Sequence, residues 1–219
     1  MWMQIVGKVK LELAPFLNEW WQVAFHLTAR GITTGVIPYQ ERVFEVNFDF
    51  VDHNLVILTD TGQMKSMSLV PRTVADFYAE FMTALAALGI RVTINTMPTE
   101  IANPIRCDVN RTNSAYDPDP VQRWWRIQLQ TAGVMDRFRS SFVGKSSPIN
   151  FFWGSFDLSA TRFSGRPAPL PKGPRFYQLS ENQENFACGF WPGNANMART
   201  DAGPCRVLRV HVPRAERLP

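Results

Sequence analysis

The chain has 219 residues, 45% of them hydrophobic, which is enough to bury one substantial core, and the simplest arrangement is a single domain. The sequence has no run of about 20 apolar residues, which argues against a transmembrane protein, and no signal-peptide pattern, which argues against a secreted one. Its three cysteines are too few for a disulfide scaffold. We therefore expect a cytoplasmic protein. The formal net charge is +4, but residues 205–219 carry +3 of it, so the rest of the chain lacks the clustered Lys and Arg of a nucleic-acid-binding surface.

Two alternating segments predict the first strands of a sheet. In residues 21–30 and again in residues 43–51, every second side chain is apolar. The polar side chains between them are Gln22, His26, Thr28, Arg30, Glu45, Asn47 and Asp49. Polar turns at residues 52–54 and 60–62 lead into two more strands, Leu55–Thr59 and Met64–Val70. We therefore predict an antiparallel meander with one apolar face.

A helix is predicted directly after the meander. Thr73 and Asp76 form a variant of the capping box, an apolar stripe follows at helical spacing, and Gly89 fits a left-handed carboxyl-terminal cap. Residues 91–97 then predict a short strand. A loop containing proline and asparagine separates this strand from the second helix.

The second helix is predicted to begin at Pro118, with Asp117 as its N-cap, and to end at Gly144. Residues 149–163 are rich in aromatic and β-branched side chains and predict one long strand. Four prolines after Ser164 predict an irregular surface crossing. A largely antiparallel sheet with two amphipathic helices on one face is an α+β fold.

The polar face of the first two strands is the leading candidate site. If these strands are neighbours, a histidine, a carboxylate and an arginine converge there, as acid–base chemistry or anion binding requires. The predicted catalytic residues are His26, Asp49, Asp157 and Arg162, the last two on opposite sides of the long strand. The predicted ligand-binding residues are Arg30, Glu45, Trp153, Ser155 and Trp191. The alternative is a solvated face on which Arg30 and Glu45 form a cross-strand ion pair.

A metal site is not predicted. His53 with Asp49 and Asp52 offers ligand types that suit divalent metals, but the histidines are few and lie in no H-x-x-x-H arrangement. The sequence identifies no cofactor and does not decide whether the protein is an enzyme. We predict a small-molecule-binding protein or an enzyme of unknown reaction, without a nucleic-acid or membrane partner. The alternative is a non-catalytic structural or protein-interaction module.

Several segments of the chain resemble a bacterial family catalogued as domain of unknown function 5996. They are NEWW, TARGITT, FEVNFDF, VADFYAEFMTALAALGI, KSSPINFFWGSFDLSATRFSGRPAP and ENFACGFWPG. The resemblance runs from about Gln4 to about Gly193, and it implies no activity because none is established for the family. Members often carry histidines where this chain has Asn150 and Gln183. The resemblance therefore implies that any chemistry of those histidines is absent here.

The carboxyl terminus departs from this resemblance. Family members continue with an aromatic stretch resembling FYAYTYPEP, whereas this chain ends PCRVLRVHVPRAERLP. One choice of synonymous codons for residues 205–218, read from the second base, encodes AVFYAYTYPEPSG. We predict a single α+β domain over residues 1–203 and a non-native, disordered basic tail over residues 204–219. A strand lost from the domain in this way would leave an exposed sheet edge, open to homodimerisation.

Sequencing the source gene tests the frameshift. We expect a shift of reading frame close to the Cys205 codon, with a downstream reading that continues the family's aromatic stretch. An intact upstream frame without a homologous downstream reading would refute the hypothesis.

Overall fold

The computed structural model describes residues 1–170, 172, 175–193 and 206–211, and it confirms the α+β class with antiparallel sheets. The backbone groups into two compact units. The first unit comprises Met1–Pro15, Gln22–Ile127 and Trp153–Ser155. The second comprises Phe16–Trp21, Gln128–Phe152 and Phe156–Pro219. The single domain over residues 1–203 stays a prediction.

The helices are α1 (Trp2–Leu13), α2 (Val74–Ala87), α3 (Pro118–Ser140) and α4 (Arg175–Ser180), with a 3-10 helix at Asn18–Val23. The strands before α2 are β1 (His26–Thr28), β2 (Gly31–Thr33), β3 (Ile37–Tyr39), β4 (Arg42–Asp49), β5 (Asn54–Thr59) and β6 (Met64–Ser68). Those after α3 are β7 (Asn150–Phe152), β8 (Asp157–Pro167), β9 (Gln183–Trp191) and β10 (Arg206–His211). Among the described residues, no helix is long and apolar enough to cross a membrane.

The first unit contains the predicted meander. Its sheet has the strand order β1-β2-β4-β5-β6, and β3 also pairs with β4. Ile32, Phe48, Leu55 and Met67 lie opposite one another across four strands, and none is more than 3% exposed. Alternation therefore predicted the core face of these strands correctly.

The strand predicted over residues 21–30 is wrong. Most of its first half lies in the 3-10 helix, and β1 is only three residues long. Gln22 is buried together with the three residues that follow it, so Gln22 does not lie on a polar face. Four consecutive buried residues need cover on all sides, which a strand with one solvated face does not provide.

Both predicted helices are confirmed, with α3 ending earlier than expected. Thr73 caps α2: its hydroxyl accepts a hydrogen bond from the Asp76 N–H at 3.1 Å, and Gly89 beyond the helix has a φ of +77°. The second helix, α3, begins at Pro118 as predicted and ends at Ser140, four residues before Gly144. Residues 91–97, which were expected to form a strand, form none.

Helix α1, which the sequence pattern did not predict, is buried at every residue from Met3 to Lys10. Two of its buried polar side chains, Gln4 and Lys10, form hydrogen bonds with backbone groups. The Gln4 side chain donates to the Thr99 carbonyl and accepts from the Thr99 N–H, both at 2.9 Å. Such pairing removes most of the cost of placing polar atoms in a core.

Lys10 ties α1 to the sheet. Its ammonium donates hydrogen bonds of 2.6 Å to the Ala24 carbonyl and 2.5 Å to the Thr34 carbonyl. These residues flank the β1–β2 hairpin. Burial lowers the pKa of Lys10 to about 8, because a low-dielectric surrounding disfavours the charged amine.

Gly7 allows the side chain of Trp153 to lie directly against α1. A Cβ atom at position 7 would overlap the indole ring. Trp153 is 5% exposed, and its indole N–H donates to the Val23 carbonyl at 2.9 Å. Trp153, expected to bind a ligand, is thus a core residue of the first unit.

The second unit contains a four-stranded sheet of order β10-β9-β8-β7. The single long strand predicted over residues 149–163 is wrong, because β7 and β8 are two strands joined by a turn. Phe156 closes this turn with a φ of +69° and an N–H bond of 2.8 Å to the Phe152 carbonyl. Strand β8 then continues to Pro167 with a register shift after Phe163, so the predicted irregular crossing begins later than expected.

Part of the predicted tail is ordered as a strand. Arg206–His211 forms β10 and pairs antiparallel with β9, from Arg206 opposite Trp191 to His211 opposite Phe186. These six residues differ from the predicted disorder, and the other residues of the tail lie outside the described part of the chain. The frameshift itself stays a prediction.

Replacing Gly7 tests the packing of α1. We expect Gly7→Ala to lower the free energy of unfolding by about 1–3 kcal/mol, because the new methyl group overpacks the contact with Trp153. Gly133→Ala in α3 is the matched control: no atom lies within 4 Å of its added Cβ, and alanine favours helix by up to about 1 kcal/mol. Urea unfolding of both variants measures the difference, and equal effects would contradict this account.

Candidate functional site

The structure separates the predicted site residues between the two units. His26, Arg30, Glu45, Asp49, Trp153 and Ser155 belong to the first unit, and Asp157, Arg162 and Trp191 belong to the second. On the first sheet, His26 lies opposite Thr33, which lies opposite Asn47, so β2 separates the two strands that were expected to be neighbours. The Asn47 side chain donates to the Glu45 carboxylate at 2.9 Å.

Arg30 and Asp49 form an ion pair. The Arg30 Nε donates to Asp49 Oδ2 at 2.7 Å, and its terminal nitrogen donates to Asp52 Oδ2 at 2.5 Å, instead of the cross-strand pair with Glu45 considered above. The other Asp49 oxygen accepts from the N–H groups of Val51 and Asp52. Burial opposes ionisation of Asp49, but these hydrogen bonds outweigh it and lower the pKa of the carboxyl. Both oxygens of Asp49 therefore stabilise the turn after β4.

His53 is paired with a tyrosine. Its Nδ1 lies 2.7 Å from the Tyr116 hydroxyl, and burial raises the pKa of Tyr116 to about 12. No group of three or more His, Cys, Asp or Glu side chains suited to a metal ion occurs in the part of the chain that the structure describes.

The predicted residues of the second unit lie on β8 and β9. Asp157 begins β8, and Arg162, five residues later, lies on the opposite face of the strand. The Arg162 guanidinium lies over two aromatic rings, 3.7 Å from the centroid of Phe138 in α3 and 5.2 Å from that of Phe142, which follows the helix. The structure does not bring Asp157 and Arg162 together.

A different set of charged residues does converge in the second unit. We call it the Glu19 cluster, and its members are Glu19, Trp21, Lys145, Phe163 and Glu181. The Lys145 ammonium lies 3.6 Å from Glu19 Oε1, which is an ion-pair distance beyond direct hydrogen-bond length. The same nitrogen lies 4.4 Å from the Phe163 ring centroid and 5.3 Å from that of Trp21, in the range of cation–π contacts.

The backbone positions both charged partners. Glu19 and Trp20 adopt left-handed φ values of 63° and 61°, which cost free energy in residues other than glycine and are frequent at functional sites. The Lys145 carbonyl accepts a hydrogen bond of 2.9 Å from the Phe163 N–H, so Lys145 runs beside β8. Asn185 lies opposite Phe163 on the next strand.

Burial determines the electrostatics of the cluster. The Glu19 side chain is only 7% exposed. Burial raises the pKa of Glu19 to about 7; Lys145 opposes this rise, and the charge of Glu181 adds to it. Burial also raises the pKa of Glu181, and a hydrogen bond with Asn185 opposes that rise. The Lys145 side chain, by contrast, is 49% exposed.

This arrangement combines two chemical capacities. A carboxyl group that titrates near neutral pH both accepts and donates a proton under physiological conditions. The ammonium of a half-exposed lysine next to it attracts anions. The sequence reasoning missed Glu19, Lys145 and Glu181, although the first two lie in the NEWW and KSSPIN segments on which the family resemblance rests.

The comparisons with known proteins give one match. No curated protein and no solved structure matches this chain. The model of the Family of unknown function (DUF5996) matches residues 1–201, which include every member of the Glu19 cluster. This match confirms the resemblance seen in the sequence motifs. The chain therefore belongs to the DUF5996 family, a family of unknown function.

Proposed function

We propose that the protein binds a small molecule at the Glu19 cluster and that Glu19 exchanges a proton with it. One observation carries this proposal: the Glu19 side chain, which is 7% exposed and lies on a left-handed backbone, has the ammonium of the half-exposed Lys145 side chain at 3.6 Å. A general acid or base works best with a pKa near the working pH, and burial gives Glu19 that property. Perturbed carboxyls of this kind concentrate at functional sites.

Asp49, in the first sheet, is less suited to proton exchange. Its carboxylate already accepts hydrogen bonds from the Arg30 guanidinium and from two backbone N–H groups of the turn. A carboxylate held in this way is stabilised in its charged form and is a poor proton acceptor. The proposed function is therefore still the binding of a small molecule, as the sequence predicted. The proposed site, however, is Glu19 and Lys145 and not His26 and Asp49.

A non-catalytic interaction module is the second candidate. Phe16 and Leu17, which directly precede the Glu19 segment, are 50% and 52% exposed. Exposed large apolar side chains that lie together are typical of protein-interaction surfaces. This candidate requires that Phe16→Ser and Leu17→Ser abolish association with a partner, whereas the ligand-binding proposal requires sensitivity to Glu19.

The pH dependence of stability tests the protonation state of Glu19. A raised pKa means that the folded state binds the proton more tightly than the unfolded state does. Relative to Glu19→Gln, wild-type stability should be greatest below pH 4.5 and should fall as the pH rises towards about 7, by up to about 3 kcal/mol. Urea unfolding between pH 4 and 8 measures this difference. A constant difference across the range would contradict a buried, neutral-titrating carboxyl.

A thermal-shift screen of the full chain against small metabolites tests ligand binding. We expect compounds that raise the melting temperature of the wild type but have a different effect on Glu19→Gln and Lys145→Met. Glu41→Gln and Lys65→Met remove exposed charges of the first unit and should respond like the wild type. Compounds that shift all variants equally, or no active compound at all, would contradict the proposal.

A further inference from the structure

We infer that the ligand of the Glu19 cluster is a carboxylic acid with an aromatic or apolar body, whose carboxylate pairs with the Lys145 ammonium in place of Glu19. This inference rests on the proposed function and specifies the class of ligand that the site takes. It follows from the contacts of the ammonium, the charges of the cluster and its aromatic rings.

The Lys145 ammonium has three neighbours in the cluster. Glu19 Oε1 lies 3.6 Å from it, and the ring centroids of Phe163 and Trp21 lie at 4.4 Å and 5.3 Å. Half of the Lys145 side chain remains exposed to solvent. An ammonium carries three donors, and the rings accept none of them as conventional hydrogen bonds. An incoming oxyanion would therefore gain direct hydrogen bonds that the longer contact with Glu19 does not make.

The charges of the cluster limit the ligand to one negative charge. Among the described residues, the groups that face Glu19 are the Lys145 ammonium, the Glu181 carboxyl and the Asn18 amide, whose nitrogen lies 3.3 Å from Glu19 Oε1. Lys145 is paired with Glu19, and the Glu181 carboxyl adds a second acidic group near Glu19. A phosphate dianion would bring two negative charges close to these acidic groups and is strongly hydrated, whereas a carboxylate adds a single charge.

The aromatic rings favour an organic body on the carboxylate. Phe163 is only 3% exposed, whereas Trp21 is partly exposed, so the apolar surface that a ligand could cover beside the ammonium belongs to Trp21. Carbon atoms next to a bound carboxylate gain by covering such surface, which acetate does to a smaller extent than benzoate. An organic amine fits less well, because it would have to displace an ammonium that is tethered to the protein.

The inference couples binding to a proton. Ionised Glu19 competes with the ligand for Lys145 and repels it, whereas protonated Glu19 does neither. The affinity for an anion should therefore be greatest below pH 7 and should weaken by up to about tenfold for each pH unit above it. With glutamine at position 19, the dependence on this proton disappears.

Isothermal titration calorimetry of the full chain with benzoate, acetate, benzylamine and inorganic phosphate tests the inference. We expect benzoate to bind more tightly than acetate, and neither benzylamine nor phosphate to bind. Between pH 7 and 8 the benzoate dissociation constant should rise about fivefold in the wild type, because the titration of Glu19 is half complete at pH 7, and should stay constant in Glu19→Gln. Lys145→Met should weaken benzoate binding at least tenfold, and Lys65→Met should leave it unchanged. Circular dichroism verifies that each variant is folded.

The outcomes separate the ligand class from the proposed function. If benzylamine or phosphate binds in a manner that depends on Glu19 and Lys145 while benzoate does not, the carboxylate inference is overturned and the site remains a small-molecule site. If none of the probes binds but the metabolite screen finds a non-acidic ligand, the carboxylate inference is likewise overturned and the proposed small-molecule site remains. If benzoate binds equally to Lys145→Met, its binding lies elsewhere and the inference fails.

Discussion

The burial of α1 from Met3 to Lys10 is the constraint on which the first unit depends. A surface helix needs one apolar stripe, whereas this helix meets other atoms on every side. Gly7 admits the Trp153 indole to the helix backbone, and the Lys10 ammonium binds two carbonyls at the ends of the β1–β2 hairpin. Because an unpaired buried amine would be costly, helix and hairpin hold each other in one arrangement.

Two ion pairs of this protein show how the balance of burial and hydrogen bonding determines the chemistry of a carboxyl group. Asp49 receives a guanidinium bond at 2.7 Å and two backbone N–H bonds, and these outweigh burial, so its pKa falls. Glu19 has Lys145 at 3.6 Å and is more deeply buried, so burial prevails and its pKa rises. The first carboxyl is thereby fixed in its charged, structural form, and the second is able to exchange a proton at neutral pH.

Membership of the DUF5996 family assigns no activity to this chain, because the function of the family is unknown. The Glu19 cluster supplies a physical starting point, because its members come from four separate parts of the chain, at residues 19–21, 145, 163 and 181. All of them lie within the matched residues 1–201, outside the basic tail. Strand β10, which lies in that tail, pairs with β9 on the side away from β8.

The sequence by itself determined the features with local signals: the α+β class, the alternation of β4, the Thr73 cap of α2 and the start of α3. It failed for α1, whose burial on all sides leaves no single stripe to detect, and for residues 21–30, where alternation coincided with continuous burial. Only the tertiary structure decided which carboxyl titrates near neutral pH. The pKa of Glu19 depends on burial and on Lys145 and Glu181, more than a hundred residues away in the chain, and no local pattern encodes that contact.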